Sequence, residues 1–289
     1  MRVILAEKPS VAQSIAAVLG ADQKKNGYLQ GENDLVSWCI GHLIELAPPE
    51  IYDARYAKWR REDLPIVPSA WESVVSDGTK KQFAVLKDLL NRTDVDEVVC
   101  ATDAGREGEL IFRMVYEKTG CTKPVKRLWI SSLEESAIRE GFRSLKPGTA
   151  YDALYRAALC RAQADWLVGI NGTRLYSRLY GTKLNVGRVM TPTLAMVAQR
   201  EKEIAAFQVE RFYTVQLSCG FLAQSGRIKT REEAERIRAS CHCKKAAVKQ
   251  IERRQKKEKP PKLYDLTALQ RDANRIYGYT AQQTLDYAQ

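Results

Sequence analysis

Residues 95–110 read VDEVVCATDAGREGEL, and the fold turns on them. The first seven are mostly apolar and β-prone, as a buried strand of a parallel sheet should be. A turn crowded with acids follows, Asp103-Ala104-Gly105-Arg106-Glu107-Gly108-Glu109. An apolar periodicity then begins at Glu107 or Gly108 and closes at Gly120, which reads as a helix. Strand, polar turn and helix in that order make an α/β unit.

The same order recurs on both sides. Residues 3–6 form a short apolar run that stops at Glu7-Lys8-Pro9. Ser10 is placed to cap a helix over 11–19, and Gly20 to end it. Strands are expected over 35–40, 95–101 and 125–130, and a helix over 80–90. Residues 48–71, rich in Pro, Trp and charge, read as a long ordered loop. Ser132-Leu133-Glu134-Glu135 has the form of a capping box for a helix reaching Ser144, and Pro147-Gly148 breaks the chain. The expectation is α/β, a mostly parallel sheet covered by helices.

From Tyr151 the composition shifts. Residues 151–180 are rich in Ala, Leu and Arg and read as long helices. Thr191-Pro192 reads as a cap and first helical residue, opening a helix to about Ala206. Residues 212–219 alternate as a strand does, Thr230 and Glu233 form a capping box, and 246–251 read as a paired strand. KQIERRQKKEKPPK, residues 249–262, reads as a charged linker in its second half. Thr267 with Gln270 and Thr280 with Gln283 are expected to cap two last helices, the second still running at Gln289; that reads as truncation of a longer protein.

Charge follows the same division. Residues 1–150 hold 21 Lys+Arg against 22 Asp+Glu, and residues 151–289 hold 25 against 13, within a whole-chain net of +11. A near-neutral α/β half joined to a strongly basic half suggests a catalytic module beside one that binds a polyanion. Simple solubility is the plainer alternative. Seven cysteines, Cys39, Cys100, Cys121, Cys160, Cys219, Cys241 and Cys243, are odd in number and irregular in spacing, so they read as reduced thiols. Cys241-His242-Cys243 lacks the second ligand pair of a zinc site. No long apolar stretch or signal peptide appears, and a cytoplasmic address with no membrane contact is expected. No phosphate-binding loop for ATP is present.

Glu7 and the acidic turn both follow expected parallel strands, and ligands collect at such strand ends. Glu7, Asp103 and Glu107 offer hard oxygen donors suited to Mg²⁺, while Lys8 and Arg106 add positive charge for a phosphodiester. Solvated turn charges would give the same local spacing.

AEKPSVAQSIAAVLG (6–20), WCIGHLIEL (38–46) and ATDAGREGELIF (101–112) resemble the Toprim domain of type IA DNA topoisomerases, especially the topoisomerase III branch. ALCRAQADWLVGINGTRLYS (158–177), NVGRVMTPTLAMV (185–197) and the run from Pro260 resemble the segments that follow it. The resemblance divides the chain into a Toprim catalytic domain (1–148), a helical DNA-binding domain (149–208), a small α+β segment (209–259) and the start of a nucleophile domain (260–289).

It implies an ATP-independent, Mg²⁺-dependent enzyme that cuts, passes and rejoins single-stranded DNA. Glu7 would stand near the leaving 3′ oxygen, Lys8 on the phosphate, and Glu7, Asp103 and Glu107 at the metal. Arg188 would stand near the cleaved phosphate. His42, Arg106, Arg161, Asp165 and Arg174 would join Lys8 and Arg188 along the DNA, although His42 taken alone reads as a packing or capping residue.

Two departures stand out: Gly105 replaces the middle acid of Asp-x-Asp-x-Glu, and Met190 replaces a glutamine. No tyrosine is followed by proline, so no residue matches the nucleophile; Tyr264, Tyr277, Tyr279 and Tyr287 lie in the expected helices before it. The isolated chain is therefore expected to be inactive in relaxation. A Toprim nuclease or primase-like protein, or a non-catalytic DNA-binding fragment, are the alternatives.

Overall fold

The computed structural model describes residues 1–218 and 222–288 in two compact units, Met1–Phe207 and Gln208–Gln289. The first unit begins with β1 (Arg2–Ala6) and α1 (Pro9–Leu19). An antiparallel pair, β2 (Gln23–Lys25) and β3 (Tyr28–Gln30), leads into β4 (Asp34–Trp38). A small hairpin of β5 (Ile44–Leu46) and β6 (Ser73–Val75) encloses the short α2 (Pro49–Tyr52). Then come α3 (Lys80–Leu90), β7 (Glu97–Ala101), α4 (Arg106–Thr119), β8 (Val125–Arg127), α5 (Glu135–Arg143) and β9 (Lys146–Pro147). The unit ends with α6 (Asp152–Tyr180) and α7 (Met190–Ala205).

The main sheet runs β2-β3-β4-β1-β7-β8-β9. Its four central strands, β4, β1, β7 and β8, are parallel, and antiparallel strands close both edges. β1 lies in the middle and is buried on both faces, which explains its unbroken apolar run. Val3, Leu5, Val98 and Cys100 pack on one side with residues of α3, α4 and α6. Ile4, Ala6, Val99 and Ala101 pack on the other with residues of α1 and α5. Burying apolar surface on both faces contributes about 25 cal/mol per Å² and fixes the register of the central strands.

Several helix starts differ from expectation. α1 opens early because Pro9 serves as its first residue, where a missing N–H costs nothing, so Ser10 lies inside the helix. Ser132 accepts from Glu134 N at 3.2 Å in a turn before α5, in place of the capping box. Thr191 sits within the first turn of α7 and accepts from Gly187 N. Asp152–Tyr180 form one long helix, about 44 Å at 1.5 Å per residue, preceded by a 3₁₀ turn, Gly148–Tyr151. The long loop after β5 is tied to α6. Asn171 pairs with both backbone groups of Ile66 at 2.6 and 2.9 Å, and Trp166 Nε1 donates to Ala47 O at 3.0 Å.

In the second unit β10 (Gln216–Ser218) pairs with β11 (Leu222–Gln224), followed by α8 (Arg231–Cys241), α9 (Leu266–Tyr277) and α10 (Ala281–Ala288). Thr230 caps α8 through Glu233 N, and Thr280 with Gln283 closes a reciprocal cap before α10, both as expected. Asp265, not Thr267, caps α9, accepting from Ala268 N at 2.7 Å. Residues 246–251 form no strand; that stretch runs into the charged segment and has no partner in a ladder. Cys219, expected to end a strand, and Gln289 lie outside the described residues.

Candidate active site and nucleic-acid interface

The parallel register places the ends of β4, β1 and β7 side by side, Ala6 opposite both Trp38 and Ala101. From β1 the chain turns toward β2–β4; from β7 it turns the other way, to β8. Neighbouring strands whose connections diverge leave a crevice at their carboxyl ends. Glu7 and Asp103 face each other across it, and Glu7 Oε2 accepts from Asp103 N at 3.2 Å.

Asp103, Lys8 and Arg106 are all exposed at this edge. Lys8 is the residue before α1 and Arg106 the first residue of α4, so both cationic side chains stem from helix N-termini that already favour anions. Gly41, at φ 65°, makes the left-handed turn that leads into His42.

From the acidic turn an alternating series of charges extends onto α6. Glu107 Oε2 lies 3.9 Å from His42 Nε2, and Glu107 Oε1 lies 3.6 Å from Arg161. Arg161 is 3.7 Å from Asp165, and Asp165 Oδ1 is 3.1 Å from Arg188. All five side chains are partly exposed, so each pair is worth about 1 kcal/mol or less and yields readily to a stronger ligand.

Arg174 is placed apart from this series. It is buried, donates to Tyr56 O at 2.7 Å, and sits over the Trp59 ring at 5.4 Å. Burial pulls its pKa below the usual guanidinium value, with Glu50 and Asp63 opposing. Its guanidinium lines a cavity of about 520 Å³ shared with Trp59, Asp165, Trp166 and Met190.

Three residues that sequence reasoning missed lie under the acidic turn. Gly108 packs directly on Asp103, and Glu109 and Arg127 are buried. Glu109 shares a helix face with Phe112 and Val115, and a charge within that buried pattern was the available signal; Arg127 follows Lys126 in the strand Val125–Arg127, where no local pattern marks one of the two as buried. Among the described residues no group of three His, Cys, Asp or Glu side chains is arranged to hold a metal ion, at Cys241-His242-Cys243 or at the acidic turn. Among the described helices none is long and apolar enough to cross a membrane.

Residues 2–133 match the Toprim domain family, and residues 149–289 match the DNA topoisomerase family. DNA topoisomerase 3 of Bacillus cereus (strain ATCC 10987 / NRS 248) is 47% identical over 295 residues, covering 99% of this chain and 40% of the relative. DNA topoisomerase 3 of Bacillus subtilis (strain 168) is 44% identical, covering 99% and 41%. The chain thus spans about two fifths of the length of these relatives. Full-length topoisomerase I from Thermotoga maritima shares the fold, with a TM-score of 0.69 and 24% identity over 99% of this chain and 45% of that one.

Proposed function

Since the chain belongs to the type IA DNA topoisomerase family, we propose that it supplies the acidic, phosphate-handling half of a strand-cleavage centre together with a groove for single-stranded DNA. One observation carries this reading: the series of polar contacts that runs from Glu7 and Asp103, through the turn to Glu107, and on to Arg188. Such a series, acidic at one end and cationic at the other, suits a phosphodiester backbone with a metal-assisted phosphate at its acidic end.

Toprim domains in general bind metal. The donor set fits Mg²⁺ in kind, since Glu7, Asp103 and Glu107 are hard oxygen ligands and no thiol competes. In position Glu7 and Asp103 adjoin, while Glu107 is turned toward His42 and Arg161. Swinging it back gives up two weak exposed pairs. Mg²⁺ held there would offset phosphate charge and charge developing on the 3′ oxygen. Lys8 holds the phosphate, Glu7 stands beside the leaving oxygen, and Arg188 steadies the cleaved phosphate. His42, Arg106 and Arg161 line the strand path, and Asp165 fixes Arg161 and Arg188. Arg174 acts as wall and anchor of the cavity beside them. The buried free thiols Cys39, Cys100 and Cys121 fit work in a reducing cytoplasm.

The attacking group in this chemistry is a tyrosine. Residues 1–289 contain no tyrosine followed by proline, and we expect this polypeptide by itself to bind strands without relaxing supercoiled DNA. The test combines anisotropy on a single-stranded oligonucleotide and its duplex with a relaxation assay and a denaturing gel for protein–DNA adducts. Salt-sensitive preference for the single strand, with no adduct, supports the reading. Relaxation with an adduct on Tyr264, Tyr277, Tyr279 or Tyr287 overturns the expected inactivity. Metal-dependent nicking without an adduct points to a Toprim nuclease, and equal affinity at low and high salt overturns the DNA groove.

A further inference from the structure

Beneath the acidic turn lies a buried set of charges that the proposed chemistry does not touch. Arg127 is fully buried. Its Nη1 donates to Cys100 O, Thr102 O and Leu128 O at 3.1, 2.8 and 2.7 Å, and its Nη2 to Asp103 O at 2.7 Å. One guanidinium therefore gathers the carbonyls at the end of β7, including that of Asp103. Its Nε lies 3.1 Å from Glu109 Oε2, an ion pair without hydrogen-bond alignment. Glu109, 1% exposed, accepts from Arg113 Nε at 3.0 Å through its other oxygen. Arg113 Nη2 then donates to Gly148 O at 2.7 Å and to Asp152 Oδ1 at 2.8 Å. Asp152 is the first residue of α6.

We propose that Arg127, Glu109 and Arg113 are positioning residues that hold the Asp103 turn in fixed register with the start of α6, the helix carrying Arg161 and Asp165. The four charges, two cationic and two anionic, balance. Asp152 is partly exposed, but burying the other three is a poor route to stability, because well-packed apolar residues of similar volume do as well or better. What an apolar core lacks is direction. A planar guanidinium with several fixed donors sets the angles of the carbonyls it meets, and a carboxylate between two guanidiniums sets their separation. The acidic turn carries Asp103 and Glu107 at one end of this set, and α6 carries Arg161, the charge partner of Glu107, at the other. A shift of either end would change the contact between Glu107 and Arg161, which is already long at 3.6 Å. The consequence for metal rests on the proposed function; the mechanical coupling does not.

The test uses the whole chain with Arg127→Lys, Glu109→Gln and Arg113→Lys. Amide hydrogen exchange is read over residues 102–109, 148–155 and, as a remote reference, 80–90. Mn²⁺ affinity is read by electron paramagnetic resonance. Lysine keeps the charge of Arg127 but cannot span four carbonyls, so exchange over 102–109 should rise by about tenfold or more and Mn²⁺ should bind about tenfold more weakly, with 80–90 unchanged. Glu109→Gln should loosen 102–109 and 148–155 together. Arg113 is the least buried of the three and its lysine variant the most certain to fold; it should loosen 148–155 and carry the effect to 102–109. Folded variants with wild-type exchange overturn the proposal. So does Arg113→Lys loosening 148–155 alone, or any variant loosening 80–90 equally. If the unaltered chain binds no Mn²⁺, the metal reading fails, and the exchange results still decide the coupling.

Discussion

Gly108 and Asp103 approach so closely that a β-carbon on Gly108 would lie 2.2 Å from the Asp103 carbonyl oxygen. Asp103 N and C would also lie within 3.0 Å, so backbone, not a yielding side chain, is in the way. Thr102 Oγ1 seals the same closure by donating to Gly108 O at 2.8 Å. Gly108→Ala should therefore shift the acidic turn and cost about 1–3 kcal/mol, read by urea unfolding. Gly105→Ala is the control: its backbone is extended at φ −178°, and an added β-carbon meets nothing within 4 Å. Equal unfolding midpoints for the two variants would show that the turn relaxes freely.

Arg188 and Arg174 should fail in different ways. Arg188 is partly exposed and paired with the shared Asp165, whereas Arg174 is buried against Tyr56 O and Trp59. Arg188→Ala should leave stability within about 0.5 kcal/mol, weaken single-strand binding, and reduce its salt slope by about one. Arg174→Ala should lower stability by about 2 kcal/mol or more, as a buried carbonyl loses a charged donor. Thermal unfolding and anisotropy at several salt concentrations separate the two. An unchanged salt slope for Arg188→Ala would remove that residue from the strand path.

Cys100 should be silent toward thiol reagents while its exposed counterparts react. Burial pushes its thiol up to about 11, Glu109 reinforces this, and Arg127 opposes it. Cys160, Cys241 and Cys243 are exposed. Labelling of the native chain at pH 8, followed by peptide mass mapping, should modify those three and spare Cys39, Cys100 and Cys121. The sign of the stability effect follows from linkage. The folded state holds the Cys100 proton more tightly than the unfolded state, so stability is full below the ordinary thiol pKa and falls as pH rises from there toward about 11. A Cys100→Ala variant should lose less stability over that interval than the parent.

Much of this site is legible in the sequence because buried parallel strands have a plain signature. β1 and β7 are continuous apolar runs ending in acids, and ligands gather at the ends of such strands, so the pattern alone points to Glu7 and Asp103 as neighbours. The Thr230 and Thr280 caps are legible because both partners of each box are local. The burial of Arg174 is not legible, because a helical arginine carries no mark of it; its guanidinium donates to Tyr56 O, 118 residues away in sequence. Glu109 falls within a buried helical pattern, but its partner and that of Arg127 come together only when β7, β8 and α4 pack. The strand expected at 246–251 lacks a partner strand, which no local pattern supplies.

Gly105 sets the last expectation. It stands between Asp103 and Glu107, at the middle position of the Asp-x-Asp-x-Glu pattern that this turn otherwise resembles. Nothing steric excludes one: the backbone is extended and the space around a β-carbon there is open. If Glu7, Asp103 and Glu107 hold the cation, its affinity is limited by the count of carboxylates, because each further anionic oxygen strengthens attraction for a hard divalent ion. Gly105→Asp should then tighten Mg²⁺ binding by about tenfold with little change in unfolding midpoint, since a pair gain of about 1.4 kcal/mol is a factor of ten. Asp103→Asn should abolish binding, and Glu7→Gln should weaken it and also release the turn by weakening the acceptor for Asp103 N. Isothermal titration with Mg²⁺, checked with Mn²⁺ resonance, measures all three. Unchanged affinity in both Gly105→Asp and Asp103→Asn, with folding intact, would place the cation away from this turn.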